Sequence, residues 1–186
     1  MLEKIIHFDK NLLIFLNNLG NEQWDIIWLT ITNQYSWTPL FVFILFLTFK
    51  TFGWKRGGIV VLSMIILVAF SDQFTNLIKN TVQRLRPNND PEINHLLRTL
   101  INPQSYSFTS GHASTSTFFS MYVILLFKDK YKYIWFVLFW PLLFAYSRLY
   151  LGVHFPIDIL VGITVGVTFA NIYYFFFKKV DKKIFT

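Results

Sequence analysis

The stretch Ser147-Arg148-Leu149-Tyr150-Leu151-Gly152-Val153-His154-Phe155-Pro156-Ile157-Asp158 sets an arginine, a histidine and an aspartate between two apolar segments. Ionisable groups in such a position are costly, which makes them functional candidates by default. Pro156 suits the first turn of a helix, where its missing N–H costs nothing. With a helix starting near Phe155, His154 and Asp158 lie four residues apart on one face. Asp158 can then accept one ring N–H of His154, which fixes the tautomer and leaves the other nitrogen as a base or a nucleophile. Arg148, one short loop away, offers a planar fork of donors that fits a phosphate. Taken alone, this stretch would also fit a histidine and an arginine satisfied at an ordinary helix junction.

Two further clusters tilt the balance toward chemistry. In Lys79-Asn80-Thr81-Val82-Gln83-Arg84-Leu85-Arg86-Pro87, Lys79 and Arg86 are seven apart, two helical turns, and Pro87 is expected to end the helix at Arg86. Two cations at a helix end also fit simple snorkelling toward the membrane surface. In Ser107-Phe108-Thr109-Ser110-Gly111-His112-Ala113-Ser114, Ser110 or Thr109 can cap a helix and Gly111 lets its backbone approach a ligand closely. The free N–H groups of such a helix start form an anion site, with His112 beside it on the first turn. Three cations, a helix N-terminus and two histidines, one backed by a carboxylate, are the parts that phosphoryl transfer requires. They neutralise phosphate oxygens, supply an in-line nucleophile and provide an acid for the leaving oxygen. Neither histidine has the carboxylate-rich or His/Cys spacing of a metal site, so no metal and no cofactor is expected.

The elements that must position these residues are apolar helices. The 186-residue chain is 54% hydrophobic and 20% aromatic, with 22 phenylalanines, and only 15% charged. Soluble domains are nearer a quarter charged, so composition points to a membrane protein. The length fits a single domain over 1–186. With no cysteine, disulfides and thiolate metal sites are excluded. The net charge of +7 fits either basic cytoplasmic loops or anionic substrates and lipids. Nucleic acid is not an expected partner, because no soluble basic domain is visible. The N-terminal apolar run is broken by His7, Asp9, Lys10 and Asn11 and does not read as a signal peptide.

Residues 2–19 show an amphipathic helical pattern, too short and polar to span, that is expected to lie at the membrane interface. Residues 24–36 fit either a second interfacial helix or the polar start of a span. Residues 1–36 thus form an N-terminal interfacial segment ahead of a helical core over 37–178. Apolar runs at Pro39–Thr51, Gly57–Ile78, Ala113–Phe127, Tyr133–Tyr146 and Ile157–Phe177 suggest an all-α, polytopic bundle of about five membrane-spanning helices. Ten of the seventeen Lys and Arg (Lys50, Lys55, Arg56, Lys128, Lys130, Lys132, Lys178, Lys179, Lys182 and Lys183) fall at turns and an end on one side. The positive-inside rule assigns that side to the cytoplasm. The polar segment 79–112 and the 147–158 stretch then meet on the opposite, extracytoplasmic face.

Lys79 with Arg86-Pro87, Ser110-Gly111-His112, and Ser147-Arg148 with His154 and Asp158 resemble, in order and spacing, the three signature motifs of the type 2 phosphatidic acid phosphatase family. The resemblance covers roughly residues 70–165. Thr109 stands where the family pattern has proline, a change that removes no catalytic group. Many members carry an additional N-terminal span that is not seen in this sequence. The resemblance implies that His154 is the nucleophile and forms a phosphohistidine, that Asp158 orients it, and that His112 protonates the leaving group. It assigns phosphate binding to Lys79, Arg86, Ser110, Gly111 and Arg148. The function it implies is a metal-independent phosphatase acting on a membrane lipid phosphate or diphosphate of the phosphatidic acid, phosphatidylglycerol phosphate, undecaprenyl diphosphate or lipid A class. The implied place is the cytoplasmic membrane of a bacterium. A lipid phosphotransferase using the same site, an inactive lipid-binding membrane protein and a vanadate haloperoxidase are the alternatives. The intact residue set disfavours the second, and the apolar spans disfavour the third.

Overall fold

The computed structural model describes residues 1–185, and among these the regular structure is entirely helical. Six α-helices follow one another: α1 (Leu2–Asn18), α2 (Glu22–Thr32), α3 (Thr38–Val82), α4 (Gly111–Phe127), α5 (Phe139–Tyr150) and α6 (Pro156–Phe185). The long α3 is broken at Gly53, where φ 70 and ψ 178 leave the helical region. The basic turn expected between the first two apolar runs therefore falls at this break.

Helix α4 occupies the centre. Phe118, Tyr122, Val123, Ile124 and Phe127 are all buried, packed by Ile44 and Leu47 from one arm of α3, by Val60, Met64 and Leu67 from the other, and by Trp140 and Phe144 of α5. A helix surrounded in this way needs no solvent-facing polar side, and its C-terminal half, from Met121 to Phe127, is apolar apart from the Tyr122 hydroxyl. Against α6 the approach is close because small residues line both sides. A Cβ built on Gly166 would stand 2.7 Å from the Ser114 carbonyl oxygen and 2.8 Å from Thr117 Cβ, and one on Gly162 would stand 2.9 Å from the Ser110 oxygen. This is the small-residue packing by which helices associate in lipid, where no hydrophobic effect drives them together.

The outer surfaces of these helices are apolar as well. Val42, Phe43, Phe46, Leu62, Ile65, Leu160, Phe175 and Phe176 are exposed, an arrangement that water would penalise and a bilayer would not. Two helical segments, 34–89 and 156–185, are long and apolar enough to cross a membrane. Helix α4, with 17 residues, reaches about 26 Å at 1.5 Å per residue, just under the hydrocarbon thickness of about 30 Å.

Helix α1 turns its polar stripe inward. Asp9, Leu13 and Asn17, spaced by four, are buried, whereas Ile5, Ile6, Phe8 and Phe15 are exposed. The amphipathic pattern expected for an interfacial helix is present, with Leu13 and the polar Asp9 and Asn17 turned toward the protein and Ile5, Ile6, Phe8 and Phe15 turned outward. Residues 24–36 resolve into α2 and a short 3-10 turn, Gln34–Trp37.

Two sequence expectations are corrected here. The helix carrying Lys79 does not run to Arg86. It ends at Val82 with Gln83 left-handed (φ 52), and Arg86 is extended at φ −74, ψ 153. Lys79 and Arg86 therefore do not share a helical face. Pro87 forces its predecessor out of the helical region, and the Arg86 side chain is drawn away to partners on other segments. The fourth apolar run begins as a seven-residue 3-10 turn, Lys132–Leu138, and only then becomes α5, which continues to Tyr150.

Candidate active site

His154 sits in the short link between α5 and α6. Helix α5 is stopped by Gly152, whose φ of 67 is in the left-handed region that favours glycine. The Gly152 N–H donates to the Leu149 carbonyl and the Val153 N–H to the Arg148 carbonyl, which closes the helix end. Space also demands glycine, since a Cβ there would lie 3.2 Å from Asn17 Nδ2 and 3.3 Å from the Arg98 oxygen. Asn17 of α1 holds this corner, donating to the Tyr150 carbonyl at 2.7 Å and accepting from the Arg98 N–H at 2.8 Å.

The chain then delivers a fully buried His154 ring to Arg86, whose Nη1 lies 3.1 Å from His154 Nε2. Arginine only donates, so Nε2 is the acceptor and the ring proton belongs on Nδ1. Burial first, then the charges of Arg86, Arg148 and Lys79, hold His154 well below the ordinary histidine value of 6.5, so the ring is neutral at pH 7. An imidazole in this state presents a lone pair on Nε2 among three cations.

The other motif residues converge on this nitrogen. Arg86 is pinned by Ser105, through Nε to the carbonyl at 2.6 Å and Nη2 to the hydroxyl at 2.9 Å, and by Nη1 to the Val153 carbonyl at 3.0 Å. Arg148, in the last turn of α5, donates from Nη1 to Thr32 Oγ1 at 2.7 Å, while its buried Nε has no partner among the described residues. Lys79 Nζ is 3.8 Å from where a Gly111 Cβ would stand, so the ammonium rests against the α4 N-terminus. Ser110, rather than Thr109, is the N-cap, its Oγ accepting from the Ala113 N–H at 3.3 Å. Thr109 is completely buried beside it. His112, one residue into α4, stacks on Phe144 with ring centroids 4.5 Å apart, within electrostatic reach of Arg148, His154, Lys79 and Arg86. All eight site residues expected from the sequence thus surround one region.

The relation between His154 and Asp158 differs from the expected one. His154 Nδ1 and Asp158 Oδ2 are 3.5 Å apart, too long for a firm hydrogen bond. The carboxylate is held by others: Oδ1 by Arg84 Nη1 at 2.7 Å and Oδ2 by the Phe155 N–H at 3.0 Å. His154 precedes the helix that begins at Pro156, so helical spacing does not apply between the two side chains. Arg84, Ser105, Thr32 and Asp9 carry no role in the sequence-based account. One signal was present in the chain: Asp9 and Asn17 are polar residues eight apart on one face of α1, in line with the apolar Leu13, which marks a face that must find polar partners if it is buried.

Comparison with known proteins bears on this geometry. The family model described as the PAP2 superfamily matches residues 56–182. A lipid A 4'-phosphatase of Bacteroides thetaiotaomicron is 30% identical, over 99% of this chain and 83% of its own. An undecaprenyl-diphosphatase of Sulfolobus acidocaldarius is also 30% identical, over 88% of this chain and 70% of its own. In three dimensions the chain is similar to a transmembrane PAP2-type phosphatidylglycerolphosphate phosphatase of Bacillus subtilis, with a TM-score of 0.69 at 21% identity, over 97% of this chain and 88% of that one.

Proposed function

The chain belongs to the PAP2 superfamily, a family of lipid phosphatases, and from that premise we propose that it hydrolyses a membrane lipid phosphate or diphosphate without a metal, through a phosphohistidine. The observation that carries this reading is the His154 Nε2 lone pair, on a neutral ring, facing Arg86. In the first step Nε2 attacks phosphorus in line. The N–P bond forms as the bond to the lipid oxygen breaks, and His112 gives that oxygen its proton. Lys79, Arg86, Arg148, the Gly111 amide and Ser110 hold the phosphate oxygens and meet the charge that builds on them. Water then attacks phosphorus and gives a proton to His112 as the N–P bond breaks, which releases inorganic phosphate and restores the neutral His154 ring and the proton on His112. Asp158 keeps the ring oriented.

The whole chain acts as one domain with about five membrane crossings. The site lies on the extracytoplasmic side of a bacterial cytoplasmic membrane, opposite the lysine-rich turns. A lipid then reaches the site sideways with its tail still in the bilayer. A lipid A 4'-phosphate is the first substrate to test, because the Bacteroides relative matches nearly the full chain. Purified protein in detergent should release phosphate from at least one of lipid A, phosphatidylglycerol phosphate, phosphatidic acid and undecaprenyl diphosphate. The His154→Ala variant should release none. Failure of the wild-type protein on every member of the panel would overturn the proposal.

A further inference from the structure

The carboxylate of Asp158 is fixed by a chain of contacts that begins on α1. Arg84 bridges two buried acids, with Nη1 on Asp158 Oδ1 and Nη2 on Asp9 Oδ2, both at 2.7 Å. Both carboxylate side chains are completely buried, and the guanidinium lies over the Phe155 ring at 3.8 Å. The second oxygen of Asp9 accepts from the Ile157 N–H at 2.9 Å. That N–H belongs to the first turn of α6, which the helix itself leaves unsatisfied. Asp9 thus holds the start of α6 directly and holds Asp158 through Arg84, while His154 sits in the link just before that helix. Every contact in the set either fixes the backbone on the C-terminal side of His154 or fixes the carboxylate nearest its Nδ1.

We infer that Asp9 and Arg84 are positioning residues for the reaction, a bridged pair that sets the place of Asp158 and the start of α6 and thereby aims His154 Nε2. The inference rests on His154 being the nucleophile. Neither residue touches the reacting phosphate. Their contribution is angular, and misplacement of a reacting group by about 1 Å can cost on the order of 100-fold in rate. The bridge needs a planar fork with two outward nitrogens, which lysine does not have.

The test compares Asp9→Asn, Arg84→Lys and Asp9→Asn/Arg84→Lys with the wild-type protein on a lipid phosphate that the latter hydrolyses. Asp9→Asn keeps an oxygen for the Ile157 N–H and loses the charge that Arg84 pairs with. The expected result is a fall in kcat of about 10- to 100-fold in each single variant with KM little changed, and a double variant no slower than the slower single. Lys10→Gln is the control, because Lys10 also ties α1 to the loop, through Asp90 and Glu92 at 2.7 Å, without reaching Asp158. It should keep wild-type kcat. Equal losses in Lys10→Gln would mean that docking of α1 alone matters, and would overturn the inference, as would full kcat in Asp9→Asn or a loss confined to KM. Ring-nitrogen NMR of His154 reads the same point without turnover. The wild type should show one Nδ1–H tautomer and Asp9→Asn a mixture, and an unchanged tautomer in that variant would also count against the pair. An inactive wild-type protein that still shows this tautomer shift would fail the proposed function while leaving the positioning pair standing.

Discussion

His154 carries its lone pair on Nε2 because the group facing that nitrogen is an arginine, which has no acceptor. The depressed pKa of the ring has a kinetic consequence. A nucleophile must be unprotonated, and this one stays neutral until pH falls well below 6.5. The acid limb of kcat/KM, which reports groups of the free enzyme, should therefore lie below the ordinary histidine range. An acid limb at or above pH 6.5 would contradict the placement of the ring among Arg86, Arg148 and Lys79. Asp158→Asn should lower kcat by on the order of 10²–10⁴, by analogy with the orienting acid of a catalytic triad. The same change leaves the partly exposed Arg84 with Asp9 as its remaining charged partner, so stability should fall too, by less than the roughly 3–5 kcal/mol that breaking a fully buried ion pair costs. A differential melt alongside the rate assay separates the two effects. Because Lys79, Arg86 and Arg148 supply the positive charge in the proposed site, phosphate release should persist in excess EDTA. Complete loss, restored by Mg²⁺, would mean that the charge on the phosphate is met in another way.

At the scale of elements, the α4–α6 contact decides where the anion-binding helix start stands relative to His154. Ser110 and Ser114 of the α4 start lie against Gly162 and Gly166, and the Ser110 N–H donates to the Asp158 carbonyl at 3.2 Å. Gly166→Ala would press a methyl group against the Ser114 backbone oxygen, which cannot rotate away. Overpacking of this kind costs about 1–3 kcal/mol, and the helices must part to relieve it. The expected outcome is a lower melting temperature in detergent together with reduced kcat, since Gly111 and His112 move with α4. Alanine in place of Gly58, around which a Cβ would meet nothing within 4 Å, should change neither. Equal melting curves for Gly166→Ala and the wild type would show that the two helices are less closely engaged than the geometry requires.

Over the whole molecule, the charges separate into two ends. Lys128, Lys130 and the lysines near the end of α6 gather at the end away from His154 and Arg148, where Arg56 also pairs with Asp181. The positive-inside rule expects short loops rich in lysine and arginine in the cytoplasm, and this is the basis for proposing the site on the outer face. The chain has no cysteine, so single cysteines can report sidedness. Gln104, exposed in the segment between α3 and α4, and Asp129, exposed in the turn after α4, lie at opposite ends. A cysteine at position 104 should react with an impermeant thiol reagent on intact cells, and one at position 129 should react only after lysis. The reverse pattern would place the site, and its substrate, on the cytoplasmic leaflet.

The family of this protein was legible in its sequence because each motif is local. Ser110, Gly111 and His112 are consecutive, and Arg148, His154 and Asp158 fall within one short stretch, so type and spacing alone bring them to a helix start or a helix link. The break at Gly53 and the amphipathic pattern of α1 were legible for the same reason, being properties of neighbouring residues. What the sequence did not disclose depends on side chains that meet across the fold. The helix carrying Lys79 ends at Val82, four residues before Arg86, whose side chain is held by Ser105 and Val153 from other segments. The partner of Asp158 is Arg84, 74 positions away, and Arg84 is shared with Asp9 at a distance of 75. A buried carboxylate must find a donor, but spacing along one helix names only the nearest candidate, His154. Which donor takes the carboxylate was decided by the tertiary packing of α1 against the start of α6, where Asp9 and Asp158 are closed off from solvent and the partly exposed Arg84 reaches in between them.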